Sequence, residues 1–461
     1  MTQTLGQFAM SVVDLRRTHQ WYQDVLGFLP AGGTEDFRGP AAETVMGVPG
    51  AETSCWWLID RQSQFQLELF QFKQPAVRPK PVDWRPCDIG YTMIGIHVRD
   101  FDAVLARAEQ AGSPALTAPL GSLGDRRVCL RDPEGMLIEV MERDIRAPFP
   151  RERPREELGV VTRFVTLSVP DLGASLAFFR DALGLVDAGE VTLHEPHHET
   201  LWHLTGAVRT SALLWADDML VELVQYLDPV GAAWPAGYRI SDQGPLNMAF
   251  VYRSKAELNK AFDHSCAAGA VPNHAHIYDF LDWGVMYVAD PQQFSVELLF
   301  IKESFDGGLG FLPADPDLHV TVRAEIDAPL ERIWDRISDH ARIGDWWCYE
   351  GRLIEPGGDG GNGLGAIREL RNMGEFVVEQ VVGWVPPFRL DYRATKGAPF
   401  DYHFARIELT QAENGGTRLD YTIRFFLPGD MADMVTDLVK ARLHSAVDAL
   451  KRVCETEGDV T

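Results

Sequence analysis

Alternating apolar positions mark FAMSVV, from Phe8, as a strand, and Leu15, Tyr22 and Leu26 then fall on one helical face that stops at Leu26-Gly27. Further strands follow, and the pattern restarts. Ile94–Val98 reads as a strand, FDAVLARAEQAG as an amphipathic helix closing at Gly112, and the run finishes in strands at DPEGMLIEV. The same order returns roughly 157 residues later. Asp14-Leu15 opens DLRRTHQWYQDVLGF and Asp171-Leu172 opens DLGASLAFFRDALGL. AETVMGVPG is echoed by HETLWHLTG, QLELFQF by LVELVQY, and DPEGMLIEV by DPQQFSVEL. Each repeat therefore predicts βαβββ twice, an α+β architecture in tandem.

A third pattern occupies the C-terminal third. LHVTVRAEI alternates as a strand, APLERIWDRISD has helical spacing, and several strands follow. The last stretch places Met434, Leu438, Leu443, Val447, Leu450 and Val453 along one broad face of a long helix. The stretch 143–158, rich in Arg, Pro and Glu, and the stretch 302–318, with Gly-Gly and two prolines, read as solvated connectors.

A length of 461 residues fits about three domains, and 46% hydrophobic with 24% charged residues is ordinary for globular chains. The formal charge of −24 argues against nucleic acid and anionic membrane as partners and favours neutral or apolar small molecules. The N-terminal segment lacks the basic and apolar runs of a signal peptide, so a cytoplasmic location is expected. Six scattered cysteines without any CxxC read as reduced thiols.

The D-L-x6-[WF]-[YF]-x2-[VA]-L-G-[FL] signature shared by the repeats resembles the vicinal oxygen chelate superfamily, which includes glyoxalases, bleomycin-resistance proteins and extradiol dioxygenases. APLERIWDRISDHARIGDWW, GAIRELRNMGEFVVEQVV and the terminal helix resemble the START and polyketide-cyclase helix-grip superfamily. The resemblances imply glyoxalase-fold domains at 1–145 and 159–303. A helix-grip domain at 316–461 would follow, a curved antiparallel sheet closed by its last helix over an apolar cavity.

In the first superfamily, metal ligands come from four equivalent strands. Grouped by repeat, those positions are Gln7, Glu68, Met93 and Glu139 in the first, and Phe164, Glu222, Asn247 and Glu297 in the second. A thioether is a poor ligand for the metals these sites use. The resemblance therefore leaves one divalent metal on Gln7, Glu68 and Glu139 as an expectation. The competing reading makes Glu68 and Glu139 metal-free fold landmarks. His97 shares a face with Met93 and is a candidate catalytic residue, although about 13 Å of strand separates the two. His194, His197, His198 and His203 lie close together in sequence. The Pro and turn-like composition of LHEPHHET, without Cys or paired spacing, argue against zinc there, and His203 or His198 is a candidate general base. Tyr287, ten residues before Glu297, and the pair His274 and His276 are further acid-base candidates. Met93, Asn247 and Glu297 are expected to line a ligand cavity, as are Trp347, Tyr392, His403 and Tyr421 in the third module, where His403 with Tyr421 could shuttle protons.

Three functions remain open at this level. One is a lyase, isomerase or cyclase acting on a hydrophobic oxygenated aromatic or polyketide-like molecule. Another is a metal-free protein that sequesters such a molecule, and the third is a divergent ring-cleaving dioxygenase. A homo-oligomer is compatible with each.

Overall fold

The computed structural model describes residues 4–62, 64–81, 83–146, 158–279, 283–301, 318–398, 402–412, 415–426 and 431–456. Of the two connectors read from the sequence, residues 147–157 and 302–317 lie outside the described residues. The chain divides into two compact units, the first holding Met1–Leu29 and Glu35–Phe305, the second Pro30–Thr34 and Asp306–Thr461. Among the described residues no helix is long and apolar enough to cross a membrane.

In the first repeat the strands are β1 (Thr4–Ser11), β2 (Leu29–Arg38), β3 (Glu52–Ile59), β4 (Gln66–Gln74), β5 (Gly90–Val98), β6 (Arg127–Arg131) and β7 (Leu137–Met141). In the second they are β8 (Val160–Ser168), β9 (Val186–Asp187), β10 (Val208–Ala216), β11 (Met219–Asp228), β12 (Gly244–Val251), β13 (Val271–Pro272), β14 (Tyr278–Asp279), β15 (Trp283–Ala289) and β16 (Ser295–Ile301). One sheet runs β13-β15-β16-β12-β1-β4-β3-β2, with β14 on β15, and the other runs β6-β7-β5-β8-β11-β10-β9. Each sheet thus joins the first half of one repeat to the second half of the other. The seams are antiparallel: β1 meets β12 with Ala9 opposite Asn247, and β5 meets β8 with Gly95 opposite Phe164. The boundary between the repeats does not separate the two sheets.

The repeated sequence landmarks shape this frame. Asp14 and Asp171 accept the backbone N–H of Arg17 and Ala174, capping helices α1 (Leu15–Trp21) and, in the second repeat, Leu172–Leu176. Both helices widen into a π-turn, over Tyr22–Leu26 and Ala177–Ala182. The Asp-Pro motifs are turns: Asp132 accepts from the N–H groups of Glu134 and Met136, and Asp290 from those of Gln292 and Phe294. One large apolar core is shared by both repeats, and a smaller cluster lies on each sheet.

The second unit is a single antiparallel sheet in the order β17-β23-β22-β21-β20-β19-β18. Its strands are β17 (Leu318–Ile326), β18 (Glu350–Glu355), β19 (Ile367–Asn372), β20 (Glu375–Val385), β21 (Arg389–Lys396), β22 (Tyr402–Gln411) and β23 (Thr417–Phe426), and the long helix Ala432–Thr456 packs on it. The buried stripe of that helix is Val435, Leu443, Ala446, Val447, Leu450 and Cys454. This corrects the face read from the sequence at its first turn, because Met434 is 59% exposed and Leu438 49% exposed. The stripe drifts with the 3.6-residue period, which carries position 435 rather than 434 inward.

Because the seams cross between repeats, a chain cut by an inserted protease site within 147–157 should stay associated. Gel filtration after cleavage is expected to show the fragments co-eluting without denaturant and separating in it. Separate elution under native conditions would show that the sheets do not depend on the exchange.

Candidate functional site

The exchange regroups the four family positions. Gln7 and Glu68 share a sheet with Asn247 and Glu297, and Phe164 and Glu222 share one with Met93 and Glu139. The set Gln7, Glu68 and Glu139 expected from the sequence is not formed, because Glu139 stands on β7 in the other sheet.

In the first cleft, Glu68 and Asn247 both flank Ala9, and Gln7 and Glu297 both flank Ala249, so the smallest side chains stand between the four polar ones. All four polar side chains are buried. The Gln7 amide donates to Glu68 at 2.9 Å and to Gln66 at 2.8 Å, Trp57 Nε1 donates to Glu68, and Asn247 donates to Glu297 at 3.4 Å. Tyr287 lies opposite Glu297 on β15, which places this sequence candidate in the cleft. Neither glutamate forms an ion pair among the described residues. Burial holds the Glu68 carboxyl up to about 7, and burial together with the nearby Glu68 holds that of Glu297 well above the usual range. The amide oxygens Gln7 Oε1 and Asn247 Oδ1 have no donor. Ala42, Met46, Trp57, Phe70, Phe72 and Leu299 belong to the apolar cluster around them.

The second cleft answers the same two-glutamate problem differently. His194 hydrogen-bonds to Glu222 through Nδ1 and to Glu139 through Nε2, both at 2.9 Å. Burial alone would lower its pKa, but the two carboxylates outweigh that and raise it to about 9, so an imidazolium sits between the glutamates. Arg127 donates to Glu139 at 3.0 Å and to the Leu193 carbonyl at 2.9 Å, and Arg209 bonds Glu199 and the His194 carbonyl. Phe164 stacks edge-on against His194, its ring occupying the space where any Cβ on Gly95 would stand. Met93 also lines what remains, a void of about 10 Å³. That cleft is filled by its own chain.

Several sequence candidates lie elsewhere. His97 faces Asp144 at 4.0 Å beside Arg61 and Arg163, so it serves an ionic cluster and not the Glu139 site. His203 is solvent-exposed in a left-handed conformation at the end of the 3-10 turn Pro196–Trp202, and His274 and His276 are exposed with their rings against each other. The residue that sequence reasoning undervalued is His194. Pairing the repeats crosswise would have set it between two glutamates; pairing them in order hid it.

The second unit holds a cavity of about 170 Å³ lined by Trp347, Glu379, Tyr392, His403, Leu438 and Arg442 among others. Arg368 pairs with Glu379 at 2.7 Å and lies over the Tyr392 ring, whose hydroxyl bonds that of Tyr421. His403 is held down to about 4 by burial and by Arg368, so it is neutral. The expected partner of His403, Tyr421, is reached through the intervening Tyr392, whose ring is 5.9 Å from His403.

Residues 4–140 match the Glyoxalase/Bleomycin resistance protein/Dioxygenase superfamily, and residues 317–455 match the Polyketide cyclase/dehydrase and lipid transport family. Each match covers less than a third of the chain, and the second repeat lies in neither. Glyoxalase I from Zea mays is a structural neighbour at 17% identity and TM-score 0.44, covering 65% of this chain and 92% of its own. A Thermus thermophilus protein aligns at 18% identity and TM-score 0.26, over 31% of this chain and 99% of its own. No curated protein matches the sequence. Members of the glyoxalase superfamily often bind a divalent metal. Among the described residues no group of three or more His, Cys, Asp or Glu is arranged to hold one. The first cleft instead offers two carboxylates and two donorless amide oxygens, an all-oxygen set that fits a hard divalent cation. The second cleft does not fit, since its carboxylates are already neutralised.

His194 links stability to pH. Its folded pKa of about 9 exceeds the unfolded 6.5, so its contribution is complete below pH 6.5 and is lost as pH rises through about 9. Urea melts of the intact protein should show a decline over that range that is absent in His194→Ala. At neutral pH that variant should be destabilised by about 3–5 kcal/mol, because it strands buried carboxylates.

Proposed function

We propose that the first cleft is the catalytic site of a lyase or isomerase acting on a hydrophobic, oxygenated small molecule. In this reading Gln7, Glu68, Asn247 and Glu297 hold one divalent cation, and the helix-grip cavity holds an apolar ligand. The observation that carries it is a pair of buried carboxylates without any cation, facing two amide oxygens without any donor. Leaving such groups uncompensated is costly, so selection for stability alone favours an apolar replacement of the kind seen at Phe164 and Met93.

A bound cation would polarise a substrate carbonyl and lower the energy of the enolate-like charge that forms when a neighbouring proton leaves. The protein's own groups handle the proton. Without a cation, burial and Glu68 let Glu297 keep a proton at neutral pH; with a cation bound its carboxylate would be ionised and able to take the substrate's proton, and Tyr287 and Asn247 fix its orientation. Trp57 and Gln7 anchor Glu68 through one oxygen. Met46, Phe70 and Phe72 exclude water and favour an apolar substrate body.

Calorimetric titration with Mn²⁺ should give one site per chain that weakens about tenfold or more in Glu297→Gln, the scale of one charged contact. Affinity should strengthen as pH rises through about 7, where Glu68 loses its proton. With oxygenated ketones as substrates, nuclear magnetic resonance in D₂O should detect deuterium incorporation that Glu297→Gln abolishes. Unchanged Mn²⁺ binding in Glu68→Gln and Glu297→Gln would refute the cation site. Tight ligand binding with no exchange would favour sequestration.

A further inference from the structure

Two chain segments carry the protein from sheet to sheet, 75–89 between β4 and β5 and 229–243 between β11 and β12. They are zipped together. Ile89 donates its N–H to the Ala232 carbonyl at 2.9 Å, Gln243 donates to the Arg78 carbonyl at 2.9 Å, and the Lys80 N–H donates to Gln243 Oε1 at 3.0 Å. Arg78 grips the Asp242 carboxylate, and Asp88 takes the Ala232 N–H at 2.8 Å while pairing with Arg85. Between the segments lies a cavity of about 210 Å³, apart from either cleft. Its walls are aromatic: Trp234 stacks on Tyr238 at 4.5 Å, and Tyr91 and Trp84 complete the box.

One charge in that box is unanswered. The Lys80 ammonium lies 3.1 Å from the centre of the Trp84 ring, and among the described residues it has no hydrogen bond and no ion pair. The nearby carboxylates are committed: Asp242 to Arg78, Asp88 to Arg85, and Asp132 to Tyr22 and two backbone N–H groups. Arg131 lies over the same Trp84 ring and adds positive charge. Burial, and then Arg131, lower the Lys80 pKa to about 7, and an anion placed beside the amine would favour its charged form.

We propose that this cavity is a second small-molecule site that takes an aromatic carboxylate, its ring stacked in the Trp84, Tyr91, Trp234 and Tyr238 box and its carboxylate paired with Lys80. The size suits a substituted single ring, since a cavity of about 150 Å³ accommodates benzene. The recognition is amphipathic: aromatic walls supply area and one desolvated ion pair supplies selection for charge. Its position on the segments joining the sheets means that occupancy favours the zipped arrangement.

The probe is benzoate, with benzyl alcohol and hexanoate as matched controls, titrated calorimetrically into the full chain. Benzoate should bind, and each control about tenfold more weakly or worse, the scale of one charge-assisted hydrogen bond or one aromatic contact. Lys80→Met and Trp234→Leu should each weaken benzoate about tenfold. Glu297→Gln, in the first cleft, should leave it unchanged. Independently of any variant, benzoate should slow acetylation of Lys80 by acetic anhydride, read by peptide mass spectrometry, while exposed lysines react at their usual rate. Equal binding of benzyl alcohol, unaltered affinity in Lys80→Met, or no protection of Lys80 would overturn the proposal.

Discussion

The antiparallel seams between β1 and β12 and between β5 and β8 are the constraint on which the first unit depends. A strand with both neighbours in place leaves no unpaired edge, and here each seam supplies a neighbour from the other repeat. Two gene-like repeats thereby become one cooperative body with a shared apolar core. The same seams decide which side chains can meet. Residues opposite one another at Ala9 and Ala249 come from chain segments more than two hundred positions apart, and the first cleft exists only because those segments pair.

Given that frame, two clefts inherit the same difficulty, a pair of glutamates facing each other out of water. Like charges buried together cannot both ionise without help. The second cleft supplies the help internally, through His194 and two arginines, and closes with Phe164 and Met93. Its plug cannot be removed cheaply, since withdrawing the imidazolium exposes each carboxylate to the other. The first cleft retains the repulsion and surrounds it with amide oxygens that add further negative potential. One duplicated site has become scaffold, and the other stays poised to receive a positive charge or to store a proton. The asymmetry is the reason for assigning the proposed chemistry to the first cleft.

The helix-grip unit follows a separate logic. Its cavity is mostly apolar, yet Glu379 and Tyr392 on its wall are held from behind: Glu379 pairs with Arg368, Arg368 lies over the Tyr392 ring, and the Tyr392 hydroxyl bonds that of Tyr421. A satisfied set of this kind gives a ligand a fixed polar edge without leaving an orphaned charge. His403, kept neutral by burial and then by Arg368, extends that edge along the cavity.

Sequence alone determined the repeats, the α+β elements, the helix-grip pattern and the eight family positions, because strand period, helix caps and Asp-Pro turns are local and each leaves a mark within a few residues. It also singled out Tyr287, ten residues before Glu297, and the pairing of β15 with β16 sets the two opposite each other. What it could not determine was partnership. Gln7, Glu68 and Glu139 looked like one set because they are near in the chain, whereas strand pairing is a long-range choice with no local signature. His97 and His203 were plausible for their residue type, and His194 was lost among four histidines. Only the tertiary structure decided which glutamates face each other and which of them an imidazolium neutralises, since buried electrostatics depends on distance through space and not on distance along the chain.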